Sequence, residues 1–168
     1  MEKKRQFATL FALALPIAVA IVFVLESAIM STHANNSAKD TAAVIQTDKD
    51  FNEYAAKHGQ GAAFILFADS SMVQLNQNEL PTVGIAALRA VFAKQHDTIS
   101  KLSWTPERGE ASGNIGYTYG WWKFRTKTKA GSDTIYQGVY VTVWRKQKDG
   151  SWKYVLDGGN DTPAPKSN

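Results

Sequence analysis

The stretch at residues 113–124, GNIGYTYGWWKF, most constrains how this chain can fold. It places five aromatic residues within eight positions and separates them with Gly116 and Gly120. Aromatic side chains favour the pleated surface of a strand, and a glycine inside a strand usually marks a bend, a bulge or a close backbone approach. The pattern therefore predicts a long, curved strand whose Tyr and Trp side chains line a cavity.

The remaining periodicity predicts helices first and long strands afterwards. Apolar residues spaced three and four apart predict helices at 44–58 and 83–95, and a short apolar run predicts another at 62–68. Alternating patterns predict strands at 72–75, 99–108, 113–125, 133–147 and 151–157, with the Asp149-Gly150 pair as a tight hairpin. Helices followed by a meander of strands indicate an α+β fold, in which the helices cover one face of a curved, mainly antiparallel sheet.

Residues 1–34 have the order of a secretory signal peptide. The basic start MEKKRQ precedes an apolar run of 19 residues at 7–25, and small residues lead up to Ala34. We expect cleavage after Ala34 and an exported protein, periplasmic or secreted. The alternative is an uncleaved inner-membrane anchor, because 19 residues at about 1.5 Å each can just span a bilayer. Contact with a membrane is expected only through this segment.

The rest of the chain predicts one domain at 45–160, preceded by a polar linker at 35–44 and followed by a disordered tail at 161–168. The sequence has no cysteine, which excludes disulfides, thiolate nucleophiles and zinc–thiolate sites. The net charge of +4 is dispersed, so no nucleic-acid partner is expected.

The strand at 133–147 has two chemically different faces. Tyr140, Thr142 and Trp144 share one face, which suits a ligand pocket, whereas three valines share the other, which suits a homodimer interface: Val139, Val141 and Val143. The expected ligand-binding set is completed by Tyr54, Phe67, Trp104, Tyr117, Tyr119 and Trp121. The alternative is that these aromatic residues only fill the core.

Asp157, on the last apolar strand, is the candidate acid–base residue, and its alternative role is to support the Gly158-Gly159 turn. Thr47 is predicted to cap a helix, with Asp48 and Asp50 in the first helical turn, where their charges favour the helix dipole. Asp69 is predicted to form a turn after the second helix. The histidines are far apart in sequence, so neither a metal nor a cofactor is expected. The chain contains no GxSxG motif and no phosphate-binding glycine loop.

Four segments together resemble one group of proteins: AAFILFADS at 62–70, LSWTPE at 102–107, SGNIGYTYGWW at 112–122 and GVYVTVWRKQKDGSWKYVLDGGN at 138–160. The first helix adds Asp50-Phe51 with Ala55 and Gly59, and the third adds Gly84 with Ala86. Over about residues 45–160 the chain resembles the SnoaL-like and ketosteroid-isomerase-like small bacterial domains of unknown function, within the nuclear transport factor 2-like superfamily. The resemblance implies a cone of bent sheet with three helices. It implies a pocket but no particular reaction.

The resemblance also identifies positions where ketosteroid isomerases keep their catalytic groups. Here those positions are Leu75 for the carboxylate base, Phe51 for the oxyanion-binding tyrosine and Thr142 for the protonated aspartic acid. Leucine cannot accept a proton and phenylalanine cannot donate one. We therefore expect no steroid-isomerase chemistry. Three functions remain open: a domain that binds a small, partly apolar molecule, a SnoaL-like isomerase, hydratase or cyclase that uses Asp157, and a structural dimer domain.

Overall fold

The computed structural model describes residues 2–94, 100–128 and 130–163, with the backbone alone for 2–25 and 27–29. The chain divides into two units, Met1–Asn36 and Ser37–Asn168. The described part contains the helices α1 (Glu2–His58), α2 (Gln60–Phe67) and α3 (Ile85–Ala93). Its strands are β1 (Ala68–Gln74), β2 (Thr82–Val83), β3 (Lys101–Ser112), β4 (Ile115–Lys127), β5 (Asp133–Lys146) and β6 (Trp152–Asp161).

The N-terminal unit is helical from Glu2 onward. The side chains of the apolar run at 7–25 lie outside the described residues, so the signal peptide and the anchor both stay predictions. Within the part of the chain that the structure describes, no helix is long and apolar enough to cross a membrane. His96 and the tail residues 164–168 also lie outside the described residues.

Residues 35–44, expected to form a linker, are part of α1. This segment contains no glycine or proline to interrupt a helix. It is also attached to the sheet, because Ser37 Oγ donates to the carbonyl of Ala111 at 2.6 Å and Lys146 Nζ lies 2.6 Å from Asp40 Oδ1. The predicted cap at Thr47 is wrong, since α1 already includes the preceding residues.

The first two helices are separated by one glycine. Gly59 has a φ of 90°, a conformation that favours glycine, and it ends α1 directly before α2 begins. Strand β1 then follows α2 without a loop, so Asp69, predicted in a turn, lies in a strand. Asp69 still makes the local contact expected of it, because Ser71 N donates to its carboxylate at 2.9 Å.

The six described strands form one open sheet in the order β2-β1-β6-β5-β4-β3. The pairing of β1 with β6 is parallel, and the other four pairings are antiparallel. The predicted α+β architecture with a mainly antiparallel sheet is therefore confirmed.

Strands β3 and β6 continue well past their predicted ends. β3 continues past Pro106 to Ser112, because this edge strand shifts its register between Pro106 and Arg108 and so accommodates a residue without an N–H. β6 continues through Gly158 and Gly159, which were predicted to form a turn, and ends at Asp161.

The core lies between α1, α2 and the sheet. Phe51 of α1 is 2% exposed, and its ring centroid lies 4.9 Å from that of Phe64, 4.9 Å from that of Phe67 and 4.6 Å from that of Trp104. This aromatic packing fixes the helices on the sheet and leaves a space toward one end of the strands, where the candidate site lies.

Candidate functional site

The alternation of β4 decides which aromatic side chains face the helices. Thr118 is fully buried and, like Trp122 and Phe124 further along the strand, lies on the helix side. Tyr119 is 38% exposed and lies on the opposite, outer face. Side chains in a strand alternate between faces, so the aromatic stretch divides into an inner set and an outer set.

A cavity of about 400 Å³ opens between the helices and the concave side of the sheet. This volume falls within the range of small-molecule sites. The apolar part of its lining comes from α1, α2 and β3 to β5 and includes Phe51, Phe64, Leu102, Trp104, Trp122, Phe124 and Tyr136. The polar part includes Gln74, Gln77, Tyr140, Thr142, Asp157 and Asp161.

Trp122 occupies a slot left by glycines on the two neighbouring strands. A Cβ atom at Gly138 would lie 2.7 Å from Trp122 Cε2, and one at Gly159 would lie 3.2 Å from Trp122 Nε1. The indole N–H donates to the carbonyl of Val139 at 3.1 Å. Its ring is therefore held flat against the sheet, where it forms part of the cavity wall.

Asp48 forms a buried polar centre next to the cavity. It is fully buried on α1, and its two carboxylate oxygens accept hydrogen bonds from Trp104 Nε1 and from Tyr140 Oη, both at 2.7 Å. Thr118 also donates to this carboxylate, and Thr118 Oγ1 itself accepts from Trp144 Nε1 at 2.8 Å. The carboxylate thus joins α1 to β3, β4 and β5.

Burial raises the pKa of Asp48, and the hydrogen bonds from Tyr140, Thr118 and Trp104 oppose that rise. Burial and the neighbouring Asp48 carboxylate raise the pKa of Tyr140 well above its ordinary value, so this phenol stays protonated and continues to donate. The sequence assigned Asp48 to a helix cap, and this interpretation is wrong because the residue lies inside α1 and points into the core.

Asp157 is one of two carboxylates in the cavity lining, the other being Asp161. It lies in the middle of β6, opposite Thr142 of β5, and Thr142 Oγ1 donates to Asp157 Oδ1 at 2.6 Å. Burial raises the pKa of Asp157 to about 6, the hydrogen bond from Thr142 lowers it, and the negative charge of Asp48 raises it. The alternative role of Asp157 in a Gly158-Gly159 turn is wrong, because both glycines are in the strand.

The segment after β1 and the end of β6 both contribute to the cavity lining. Gln77 Nε2 donates to Asp161 Oδ2 at 3.2 Å and so connects these two segments. Asn76 holds the same segment from the other side through hydrogen bonds to Leu80 O and Thr82 Oγ1, at 2.9 and 3.0 Å. This part of the lining therefore contains a side-chain amide and a second carboxylate.

The predicted site residues fall into three groups in the structure. Four of them line the cavity together: Trp104, Tyr140, Thr142 and Asp157. Trp144 is fully buried beneath it, while Phe67 stacks on Phe51 and Tyr54 packs 4.2 Å from the His58 ring. The last three, Tyr117, Tyr119 and Trp121, lie on the outer face of β4. A role in ligand binding or catalysis stays a prediction for each of these residues.

Several residues of the cavity lining were not predicted from the sequence. The sequence pattern was interpreted as placing Trp121, and not its neighbour Trp122, in the site. The small residues at 116, 118 and 120 nevertheless indicate which positions of β4 face the helices. Gln74, Gln77 and Asp161 had no signal of their own, because their place in the cavity depends on the parallel pairing of β1 with β6.

The three positions implied by the isomerase resemblance, Phe51, Leu75 and Thr142, all line the cavity. None of their side chains is an acid or base in the neutral pH range, so Asp157 is the titratable group that faces the middle of the cavity. Among the described residues, no three His, Asp or Glu side chains are placed to hold a metal ion.

Comparison with known proteins shows likeness in structure but none in sequence: no protein-family model and no curated protein matches the chain. A ketosteroid isomerase-like protein from Erwinia carotovora atroseptica is 17% identical, with a TM-score of 0.60 over 73% of this chain and 96% of that one. The CaMKII hub of S. rosetta is 14% identical, with a TM-score of 0.60 over 73% and 96%.

An NTF2-like protein of unknown function from Pseudomonas putida is 12% identical, with a TM-score of 0.60 over 74% of this chain and 87% of that one. Identities this low establish the fold alone. Three helices packed on an open sheet with a cavity between them agree with that likeness. The chain is thus an α+β domain with the nuclear transport factor 2-like fold.

Proposed function

We propose that this protein binds a small, partly apolar molecule in the cavity between its helices and its sheet. The observation that supports this most directly is an aromatic-walled space of about 400 Å³ whose lining includes the partly buried carboxylate of Asp157. Mostly apolar walls with a few fixed polar groups are typical of small-molecule sites. The fold itself does not identify the ligand, because proteins with this fold have many different functions.

Native mass spectrometry of the full-length protein, purified from its host, tests this proposal. We expect a non-covalent mass that is retained by the protein and is lost from the variant Leu75→Trp, because Leu75 lines the cavity and a larger side chain there fills it. The control is Leu80→Trp, since Leu80 is 88% exposed and is not part of the lining. A retained mass that survives Leu75→Trp would contradict binding in this cavity.

Catalysis by Asp157 is the second candidate function, and the raised pKa of this residue favours it. A carboxyl group with a pKa of about 6 can take up and release a proton near neutral pH, and Thr142 holds one of its oxygens in place. The retained molecule, once isolated, is the substrate to test. If wild-type protein converts it and Asp157→Asn binds it without conversion, the protein is an enzyme; equal conversion by both would exclude this role.

We also infer that the protein forms a homodimer through the outer face of its sheet. Tyr119 and Val141 are paired across β4 and β5 on that face, and they are 38% and 41% exposed. Exposed apolar residues grouped on a sheet favour protein contact. Two of the similar structures are a CaMKII hub and a CaMKII association domain, names that are consistent with self-association.

Light scattering after size-exclusion chromatography measures this association. We expect a dimer for wild type and a monomer for Val141→Lys, because the lysine charge cannot be buried in an apolar interface. Val83→Lys, which changes an exposed valine on β2 instead, is expected to stay dimeric. A monomeric wild type would refute the inference.

Export is proposed from the N-terminal sequence, with the basic start, the apolar run at 7–25 and Ala34 as its support. Cell fractionation and N-terminal sequencing are expected to find a protein outside the cytoplasm that begins at Asn35. An exported protein that begins at Met1 would instead support the anchored alternative.

A further inference from the structure

The cavity has acidic groups in its lining but no basic ones. Asp157 and Asp161 line it, and among the described lining residues there is no lysine, arginine or histidine. The buried Asp48 lies directly behind the wall, hydrogen-bonded to the lining residue Tyr140. The charged side chains described in and directly behind the lining are therefore acidic, although the whole chain has a net charge of +4.

Neither Asp48 nor Asp157 has an ion-pair partner in the described part of the chain. The ion pairs found there involve other acids, such as Glu53 with Lys57 and Asp40 with Lys146. Asp48 is compensated by three hydrogen-bond donors, whereas Asp157 accepts from Thr142 alone, through Oδ1. A buried carboxylate that lacks a cation is costly when charged, so Asp157 gains most from a positive partner in the cavity.

Four of the hydrogen-bond donors in the wall are already used. The indole N–H groups of Trp104 and Trp122 donate to Asp48 and to Val139, the Tyr140 hydroxyl donates to Asp48, and the Thr142 hydroxyl donates to Asp157. An anion that entered would meet no cationic side chain among the described lining residues and would have to rely on other donors, such as the amides of Gln74 and Gln77. Beside these amides, the wall presents carboxylate oxygens and aromatic rings.

Both of these surfaces attract positive charge. A carboxylate attracts an ammonium group directly, and the faces of Trp, Tyr and Phe rings attract cations through the ring quadrupole. Trp104, Trp122, Phe124 and Tyr136 all contribute to the same wall as Asp157. The cavity therefore joins the two elements that recognise an ammonium group attached to an apolar body.

We propose that the cavity selects a small organic cation, whose ammonium group lies beside Asp157 and whose apolar part packs on Trp104 and Trp122. This inference rests on the proposed small-molecule binding and specifies the chemical class of the ligand.

Phenyltrimethylammonium, tert-butylbenzene and benzenesulfonate make a suitable set of probes, because they are similar in size and differ in charge. Binding of each to the full-length protein is followed by tryptophan fluorescence at pH 8, where Asp157 is ionised. We expect wild type to bind the cation at least about tenfold more tightly than the anion. Asp157→Asn should weaken cation binding about tenfold and change binding of the neutral probe less than about twofold.

Asp133→Asn is the matched control, since it removes the same charge from a side chain that is 89% exposed, and it should change neither affinity. If the cation and the anion bind equally, or if Asp157→Asn leaves cation binding unchanged, the selectivity for cations is refuted while small-molecule binding stands. If none of the three probes binds and no mass is retained from the host, both proposals are refuted.

Discussion

Replacement of Asp157 by asparagine should stabilise the ligand-free protein at neutral and higher pH. Asparagine has nearly the same shape and still offers an oxygen to the Thr142 hydroxyl, which donates to Asp157 at 2.6 Å. It removes a negative charge from a partly buried position that has no cationic partner among the described residues. Removing an uncompensated buried charge favours the folded state.

The size of the effect follows from the pKa. Burial raises the pKa of Asp157 from its ordinary 3.8 to about 6, so the native state holds this proton more tightly than the unfolded chain does. Stability from this group is therefore present at low pH and is lost as the pH rises through 6. The raised pKa corresponds to at most about 3 kcal/mol of unfolding free energy, because the side chain remains partly exposed to the cavity.

Urea unfolding of wild type and Asp157→Asn at several pH values between 4 and 8 measures this difference. The variant and the wild type should be equally stable near pH 4, and the variant should gain up to about 3 kcal/mol by pH 8. Asp133→Asn, at an exposed position, should show no such pH-dependent gain. A variant that is less stable than wild type at pH 8 would show that the Asp157 charge is stabilised, and the reasoning would fail.

Other predictions concern the parts of the site that hold it together. Asp48→Ala should lower the unfolding free energy, measured by urea unfolding, by about 3 kcal/mol or more, because three buried donors lose their acceptor. Asp50→Ala, on the exposed side of α1, is the control and should lower it by less than about 0.5 kcal/mol. Gly120→Ala should destabilise by about 1–3 kcal/mol or more in the same assay, because its Cβ would lie 2.1 Å from a backbone oxygen of β3. Trp122→Phe should reduce the fluorescence response to phenyltrimethylammonium, and Trp121→Phe should not; equal effects would place the probe elsewhere.

The order of helices and strands could be predicted because its signals are local. Gly59 separates the first two helices, and Asp149-Gly150 forms the last hairpin with Gly150 at a φ of 86°. Alternation in β5 also separated the inward Tyr140, Thr142 and Trp144 from the outward valines. Local backbone preferences and a period of two are visible in a single sequence.

The residues that line the cavity were harder to predict, because they depend on the exact register of each strand and on contacts between segments that are distant in sequence. Trp121 and Trp122 are adjacent, and a shift of one position in a strand exchanges its faces. Asp48 resembles a residue of a first helical turn only if the helix begins at Thr47. In the structure α1 begins well before Thr47, so Asp48 is an interior residue of the helix. Its side chain is buried, and its partners come from three strands that are remote in sequence.

The glycine slot around Trp122 also bears on the size of the cavity. The indole lies where it does because positions 138 and 159 on the neighbouring strands have no side chain, and Gly138 is itself outside the cavity lining. A methyl group at residue 138 would lie 2.7 Å from the Trp122 ring and 2.0 Å from the carbonyl oxygen of Asn160, so both the tryptophan and the backbone of β6 would have to move. The size of the chamber thus depends on a position that lies outside its lining.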